Sequence, residues 1–85
     1  MPRFYFDIRE SSKFTSDADG IECEDIEAAE REATLSAAEI GRELLRHTGD
    51  YDVRIEVRNE HSQRVLTVTV SIRVDRADLP AMVTR

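Results

Sequence analysis

The residues that this chain lacks exclude several classes of protein. It has one cysteine, Cys23, so it cannot form an internal disulfide. No apolar run approaches the roughly 18 residues that a membrane-spanning helix requires, and the N-terminus shows no signal peptide. We therefore expect a cytoplasmic protein that does not engage a membrane.

Positive charge is the second shortage. Twelve lysines and arginines stand against eighteen acidic residues, which gives a formal net charge of −6 at pH 7. Domains that bind nucleic acids present a basic surface to the phosphates. The charge balance therefore disfavours a nucleic-acid partner and favours a basic protein partner.

Motifs for catalysis are missing as well. The three glycines are isolated, so there is no glycine-rich phosphate loop. His47 and His61 are predicted at a helix end and in a hairpin loop, away from any nucleophile motif. Cys23 lies among acidic residues, whose negative field raises a thiol pKa and lowers its reactivity. We predict that the protein is not an enzyme and holds no cofactor or metal.

The stretch from 25 to 48 predicts one amphipathic helix. Its apolar residues recur at steps of three and four, as on one face of a helix. These residues are Ile26, Ala29, Ala33, Ala37, Ile40 and Leu44. Leu35 and Leu45 are expected to flank and widen this stripe. Asp25 is the predicted N-cap, and Gly49 is the predicted left-handed residue that ends the helix.

Alternation of apolar and polar residues predicts three long strands, at 2–10, 50–58 and 64–75. A short strand at 21–23 follows a turn that ends in Gly20, and the segment 59–63 is a hairpin loop. These elements predict an α+β fold. An antiparallel sheet of three long strands plus one short strand, in the order β-β-α-β-β, packs one helix on one face.

The predicted domain covers residues 1–76, and residues 77–85 form a loosely held C-terminal tail. Pro80 stops any continuation of the last strand into this tail. The sheet face that the helix does not cover is polar, so we expect it to be solvated or to meet another subunit.

Several of these segments resemble a known family. They are the opening Met-Pro-Arg-Phe-Tyr-Phe-Asp-Ile, the turn Asp19-Gly20-Ile21-Glu22, the helix start at Asp25 and the hairpin 53–70. Together they resemble a group of small alphaproteobacterial, notably rhizobial, proteins that form a domain family of unknown function. The chain is also distantly similar to the HicB-type antitoxin fold, from which the long last strand departs. This second resemblance implies a regulatory role, and neither implies a catalytic residue.

Acidic residues are concentrated between Lys13 and Arg31. An EF-hand calcium loop with Asp17 at its third position would place Thr15 and Ile26 at ligand positions 1 and 12, where acids are needed. Two interpretations remain: a docking surface for a basic partner, or a solvated turn and a helix N-terminus that favours acids. The predicted partner-binding residues are Asp17, Asp19, Glu22, Glu24, Glu27 and Glu30.

The lengths of the last two strands predict assembly. The strand 64–75 outruns its hairpin partner, so its end would expose unpaired backbone groups beside apolar side chains. A two-fold dimer would cover both. The predicted interface consists of Leu66, Val68, Val70, Ile72, Arg73 and Val74.

The sequence therefore predicts a non-enzymatic protein-interaction module. It acts as a homodimer and binds a basic protein partner through its acidic surface. The alternative is a small-molecule or metal-dependent activity with its site at a subunit interface.

Overall fold

A computed structural model describes residues 1–46 and 50–78. Its elements are β1 (Arg3–Glu10), β2 (Lys13–Thr15), β3 (Ile21–Glu22), α1 (Ile26–Leu44), β4 (Tyr51–Arg58) and β5 (Arg64–Ile72). All strand pairs are antiparallel, in the order β2-β1-β4-β5, and β3 pairs with β1. The predicted α+β fold with the order β-β-α-β-β is confirmed, and β2 is an additional strand.

β1 pairs along both of its edges. β4 occupies one edge, while β2 and β3 share the other, at residues 8–10 and 3–4 respectively. The short strand predicted at 21–23 corresponds to β3, and the backbone N–H of Cys23 extends the pairing by donating to the Pro2 oxygen at 3.0 Å. The N-terminal strand is thus an inner strand of the sheet.

The hairpin of β1 and β2 was not indicated by the sequence pattern. Glu10 and Lys13 face each other, so Ser11 and Ser12 form a two-residue turn, and Ser11 adopts a φ of 52°. Tight hairpins favour asparagine or glycine at such positive φ. Because serine is not typical of this position, the sequence does not indicate the turn. A strand of three residues is also too short to show an alternation of apolar and polar residues.

The start of the helix is as predicted, and its end is not. Asp25 has an extended backbone and accepts the Ala28 N–H at 2.8 Å, so it is the N-cap. The helix ends at Leu44, with Leu45 as the C-cap. The predicted roles of His47 and Gly49 lie outside the described residues. No helix in the described ranges is long and apolar enough to cross a membrane.

The core lies between the sheet and a narrow stripe of the helix. Ala29, Ala33 and Ala37 are fully buried, because alanine lets the helix approach the sheet closely. They pack in one cluster with buried strand residues, namely Phe4, Phe6, Ile55 and Val57. The expectation that Leu35 and Leu45 widen this stripe is wrong.

Leu35 and Leu45 are 62% and 61% exposed, because Leu35 lies outside the stripe that packs on the sheet and Leu45 is the C-cap after the last helical residue. Ile26, the first residue of the helix, is also exposed. Gly41, which is not part of the predicted stripe, is buried. It faces β5, since a Cβ at this position would lie 3.2 Å from Val70 Cγ1.

The last strand is shorter than the predicted 64–75. β5 ends at Ile72, which pairs with Tyr51 at the start of β4, and residues 73–78 have no regular secondary structure. The supposed overhang is therefore absent, and the length argument for a dimer is wrong. Within the predicted tail, residues 79–85 lie outside the described residues.

Candidate functional site

The sheet face opposite the helix carries a network of ion pairs centred on Asp7. This β1 carboxylate is 5% exposed. Arg58 on β4 binds it with two hydrogen bonds, 2.7 Å from Nε to Oδ2 and 3.1 Å from Nη2 to Oδ1. The same Nη2 donates to the backbone oxygen of Asp17 at 3.0 Å. One guanidinium therefore joins β1, β4 and the loop that precedes β3.

The carboxylate of Asp17 fills a gap in the pairing of β1. Phe6 lies between the residues of β1 that pair with β2 and those that pair with β3. Asp17 Oδ2 accepts the Phe6 N–H at 3.0 Å, and Oδ1 accepts the N–H groups of Asp19 and Gly20, both at 3.1 Å. This side chain thus replaces a missing strand and shapes the turn that leads to β3.

Both carboxylates have lowered pKa values. The hydrogen bonds from Arg58 lower the pKa of Asp7, against an opposing effect of burial. Burial raises the pKa of Asp17, but the hydrogen bonds from the Phe6, Gly20 and Asp19 amides outweigh this effect. Carboxylates held ionised in this way are poor proton donors near neutral pH.

A second buried carboxylate, Glu56, lies directly across from Asp7. Arg9 donates to its Oε2 at 3.2 Å, and Arg64 donates to its Oε1 at 2.9 Å. Like charges facing each other across two strands repel, and the flanking arginines offset this repulsion. Within the described ranges, no buried side-chain nitrogen or oxygen lacks a hydrogen-bond partner. Both buried carboxylates of this face are therefore paired with arginines of the same chain.

The six residues predicted to bind a basic partner do not converge on one point. Asp17 is turned toward β1, and Glu22 forms an exposed ion pair with Arg3 at 3.3 Å. Asp19 is exposed, and its backbone oxygen accepts from Arg3. The remaining three are exposed at the start of the helix: Glu24, Glu27 and Glu30. Among residues 1–46 and 50–78, no three His, Cys, Asp or Glu side chains are placed to hold a metal ion.

The nucleophile and base candidates are not brought together. Cys23 is buried, and its thiol lies 3.9 Å from the Ile21 oxygen. Burial, with smaller effects of Glu32 and Asp25, raises the pKa of this thiol. His61 is exposed in the loop between β4 and β5, and His47 lies outside the described residues. A buried thiol with a raised pKa is a poor nucleophile.

The outer edge of β5 is left open by the other described strands. β5 pairs with β4 along one edge, and no other described strand pairs with it. Leu66, Val68, Val70 and Ile72 face the helix and are half-buried, whereas Thr67, Thr69 and Ser71 are exposed on the other face. Of the predicted interface, Arg73 and Val74 follow the strand, and both are exposed.

A groove opens on the other side of the helix. α1 lies over β4 and β5, so it does not cover the end of β1. The groove, of about 440 Å³, is lined by Ile8, Glu10, Glu39, Ile40, Glu43 and Leu44. Its three glutamates were not among the predicted site residues, because they belong to two segments that only the fold brings together.

The comparison with known proteins identifies a family. The profile of DUF6894, described as a domain of unknown function, matches residues 3–71. The match begins with β1 and ends one residue before the end of β5, so it spans the sheet and the helix. No curated protein and no solved structure matches the chain.

Proposed function

We propose that this chain, which belongs to the DUF6894 family of unknown function, is a non-enzymatic protein-interaction module that acts as a homodimer. The observation that carries the proposal is the open outer edge of β5. Between Val65 and Ile72 this strand has no charged residue and no proline, which are common means of protecting an exposed edge. The β5 strand of a second chain would pair with this edge and form hydrogen bonds with its unpaired backbone N–H and C=O groups.

The symmetry of such a dimer can be specified. A two-fold axis through Val68 pairs two β5 strands antiparallel, so that Thr67 of each chain lies opposite Thr69 of the other. Each helix lies over β4 and β5 of its own chain. Each helix axis would then lie about one strand spacing, about 4.8 Å, from the two-fold axis between the two β5 strands. The two helix axes would therefore lie about 9–10 Å apart, which is the usual distance between packed helices.

The side of the helix toward β5 suits this close approach. Gly41 lies on that side, against Val70, and Thr34 and Ala38 precede it at helical spacing. Small residues allow two helices to come close together. Leu45 follows at the same spacing and is 61% exposed in one chain. The dimer would cover it, which accounts for a leucine at a surface position.

A basic protein partner is the second part of the proposal. We define the acidic surface as Asp19, Glu22, Glu24, Glu27 and Glu30. Asp17 anchors the loop that presents this surface. In the described part of the chain, Glu24, Glu27 and Glu30 form no ion pair, so their charge is available to a partner. A regulatory role in a bacterial cytoplasm, of the kind that HicB-type antitoxins perform, would suit such a module.

Charge variants of β5 test the homodimer. Light scattering of the wild type at up to ~100 µM, a range that detects weak dimers, should give twice the chain mass of 9.7 kDa. Thr67→Lys/Thr69→Lys should give a monomer, because lysines would face each other twice across the axis. Thr67→Glu/Thr69→Lys, the matched control, should remain a dimer, since each pair then has opposite charges.

Two results would contradict this proposal. One is a monomeric wild type throughout this range; the other is equal association of both double variants.

The alternative function, a small-molecule or metal-dependent activity at the subunit interface, makes a separate prediction. Zinc, magnesium or calcium ions would then raise the melting temperature of the dimer but not of the monomeric variant.

A further inference from the structure

The groove beside α1 combines an apolar floor with an acidic rim. Ile8 of β1 faces Ile40 and Leu44 of the helix, and all three side chains are half-buried. The apolar row of β1 ends at Glu10, which lies on the same face as Ile8. The floor is thus apolar surface that the chain leaves partly exposed, and a side chain from another molecule would bury it. Carboxylates lie along its border.

The glutamates on the rim repel one another. Glu39 and Glu43 are exposed and one helical turn apart, a spacing at which like charges destabilise a helix. Among the described residues, neither they nor Glu10 form an ion pair. Lys13 faces Glu10 across the hairpin without such a contact. A cation from outside would relieve this repulsion.

We propose that this groove binds an amphipathic basic segment of a partner protein. An apolar side chain of the segment would pack against Ile8, Ile40 and Leu44, and its lysines or arginines would reach the glutamates. An apolar centre with a polar rim is the usual arrangement of a protein interface. The acidic rim disfavours anionic ligands, and the apolar floor offers no ligands to a metal ion.

The groove is distinct from the surfaces of the proposed function. The acidic surface occupies the segment before α1 and the first half of the helix, whereas Glu39 and Glu43 lie in the last two turns of the helix. The β5 edge lies beyond the opposite side of the helix, since Gly41 faces Val70 there. A homodimer through β5 therefore leaves two grooves open at its ends, and the test below holds for a monomer or a dimer.

Nuclear magnetic resonance of methyl groups tests the groove directly. The probes are three hexapeptides, which alternate leucine with lysine, serine with lysine, and leucine with glutamate. Only the leucine–lysine peptide should shift the methyl signals of Ile8, Ile40 and Leu44, and the shifts should saturate below ~1 mM, as for a weak specific contact. Spermidine serves as a small cation without an apolar group.

Matched charge variants distinguish binding at the groove from a general attraction of the basic peptide to an acidic protein. Glu39→Gln/Glu43→Gln should weaken the leucine–lysine peptide about tenfold, because two ion pairs are lost. Glu32→Gln/Glu60→Gln removes the same charge from exposed positions outside both the groove and the acidic surface, and binding should stay within about twofold. Lys13→Gln should strengthen binding slightly, because it removes a competing cation.

Three results would overturn the proposal. The first is the absence of shifts at Ile8, Ile40 and Leu44 with the leucine–lysine peptide at ~1 mM. The second is equal binding of the serine–lysine peptide or spermidine at these methyl groups, which would indicate attraction of charge alone. The third is equal weakening by the two pairs of glutamine substitutions. None of these results depends on dimerisation through β5.

Discussion

Arg58 and Asp7 form a two-bond ion pair across β4 and β1, with Nε 2.7 Å from Oδ2 and Nη2 3.1 Å from Oδ1. The pair also holds the loop before β3, since Nη2 donates to the Asp17 oxygen and Asp7 Oδ1 accepts the Asp17 N–H. A charge-assisted contact with this geometry is stronger than an exposed ion pair. It lies on the open face of the sheet, so it fastens the loop independently of the apolar core.

The first prediction concerns Asp7→Asn. The variant should lose about 1–3 kcal/mol of unfolding free energy, because hydrogen bonds to charged groups contribute about this much and asparagine leaves Arg58 without the carboxylate that it binds with two hydrogen bonds. Urea denaturation measures the loss. Glu22→Gln, which breaks the exposed pair with Arg3, is the control and should change stability by less than about 0.5 kcal/mol. Equal losses in both variants would argue against a special role of Asp7.

The second prediction is the pH dependence of stability. Asp7 and Asp17 have lowered pKa values in the folded protein, so the unfolded chain binds their protons first as the pH falls. Their stabilisation is fully present above the unfolded pKa of about 3.9 and is lost as the pH falls through the lower folded values. The urea midpoint should be nearly constant from about pH 7 to 5 and should fall below about pH 4.

Asp17→Asn separates this effect from general acid unfolding. The variant lacks one of the two carboxylates, so its stability should fall less steeply below about pH 4 than that of the wild type. Its stability near neutral pH should already be lower, because an asparagine oxygen accepts the Phe6 N–H less strongly than a carboxylate. A slope unchanged by the substitution would assign the acid sensitivity to other groups.

The architecture was predictable because its signals are local and periodic. The alternation along β4 and β5 and the alanine spacing of α1 follow directly from which residues must be buried. The N-cap at Asp25 was likewise visible, because one residue type at one position performs that role. The exposure of Leu35 and Leu45 was not foreseen, since the sheet covers a narrower stripe of the helix than the apolar residues suggest.

The candidate sites depend on contacts that sequence spacing does not contain. In the sequence Asp17 is one acid of a predicted docking surface, but its partner Phe6 lies eleven residues earlier, in β1. The groove unites Ile8 with Leu44 from distant parts of the chain. Only the strand order shows that β5 is an edge strand, and the overhang that the sequence predicts at its end does not exist.

The third prediction compares two positions of α1. Ala33→Asp should abolish cooperative unfolding, because it buries an unpaired charge at a fully buried position. The cost of several kcal/mol is most of the ~5–10 kcal/mol available to such a domain. Leu35→Asp introduces the same side chain two residues away, where Leu35 is 62% exposed, and should leave a cooperative melt. Thermal melts by circular dichroism that agree for both variants would contradict the helix packing.

The last prediction concerns Gly20, which the loop between β2 and β3 requires for two reasons. Its φ of +72° is rarely adopted by other residues, and a Cβ there would lie 2.9 Å from Arg3 Cγ, the Phe4 oxygen and Tyr5 Cε2. The backbone oxygen cannot move without disturbing β1, so Gly20→Ala should cost about 2–4 kcal/mol by urea denaturation. Gly41→Ala is the matched control: its Cβ meets only side chains of β5, with Val70 Cγ1 at 3.2 Å, and alanine favours the helix by about 1 kcal/mol. It should stay within about 1 kcal/mol of the wild type, and a smaller loss for Gly20→Ala than for Gly41→Ala would refute this account of the loop.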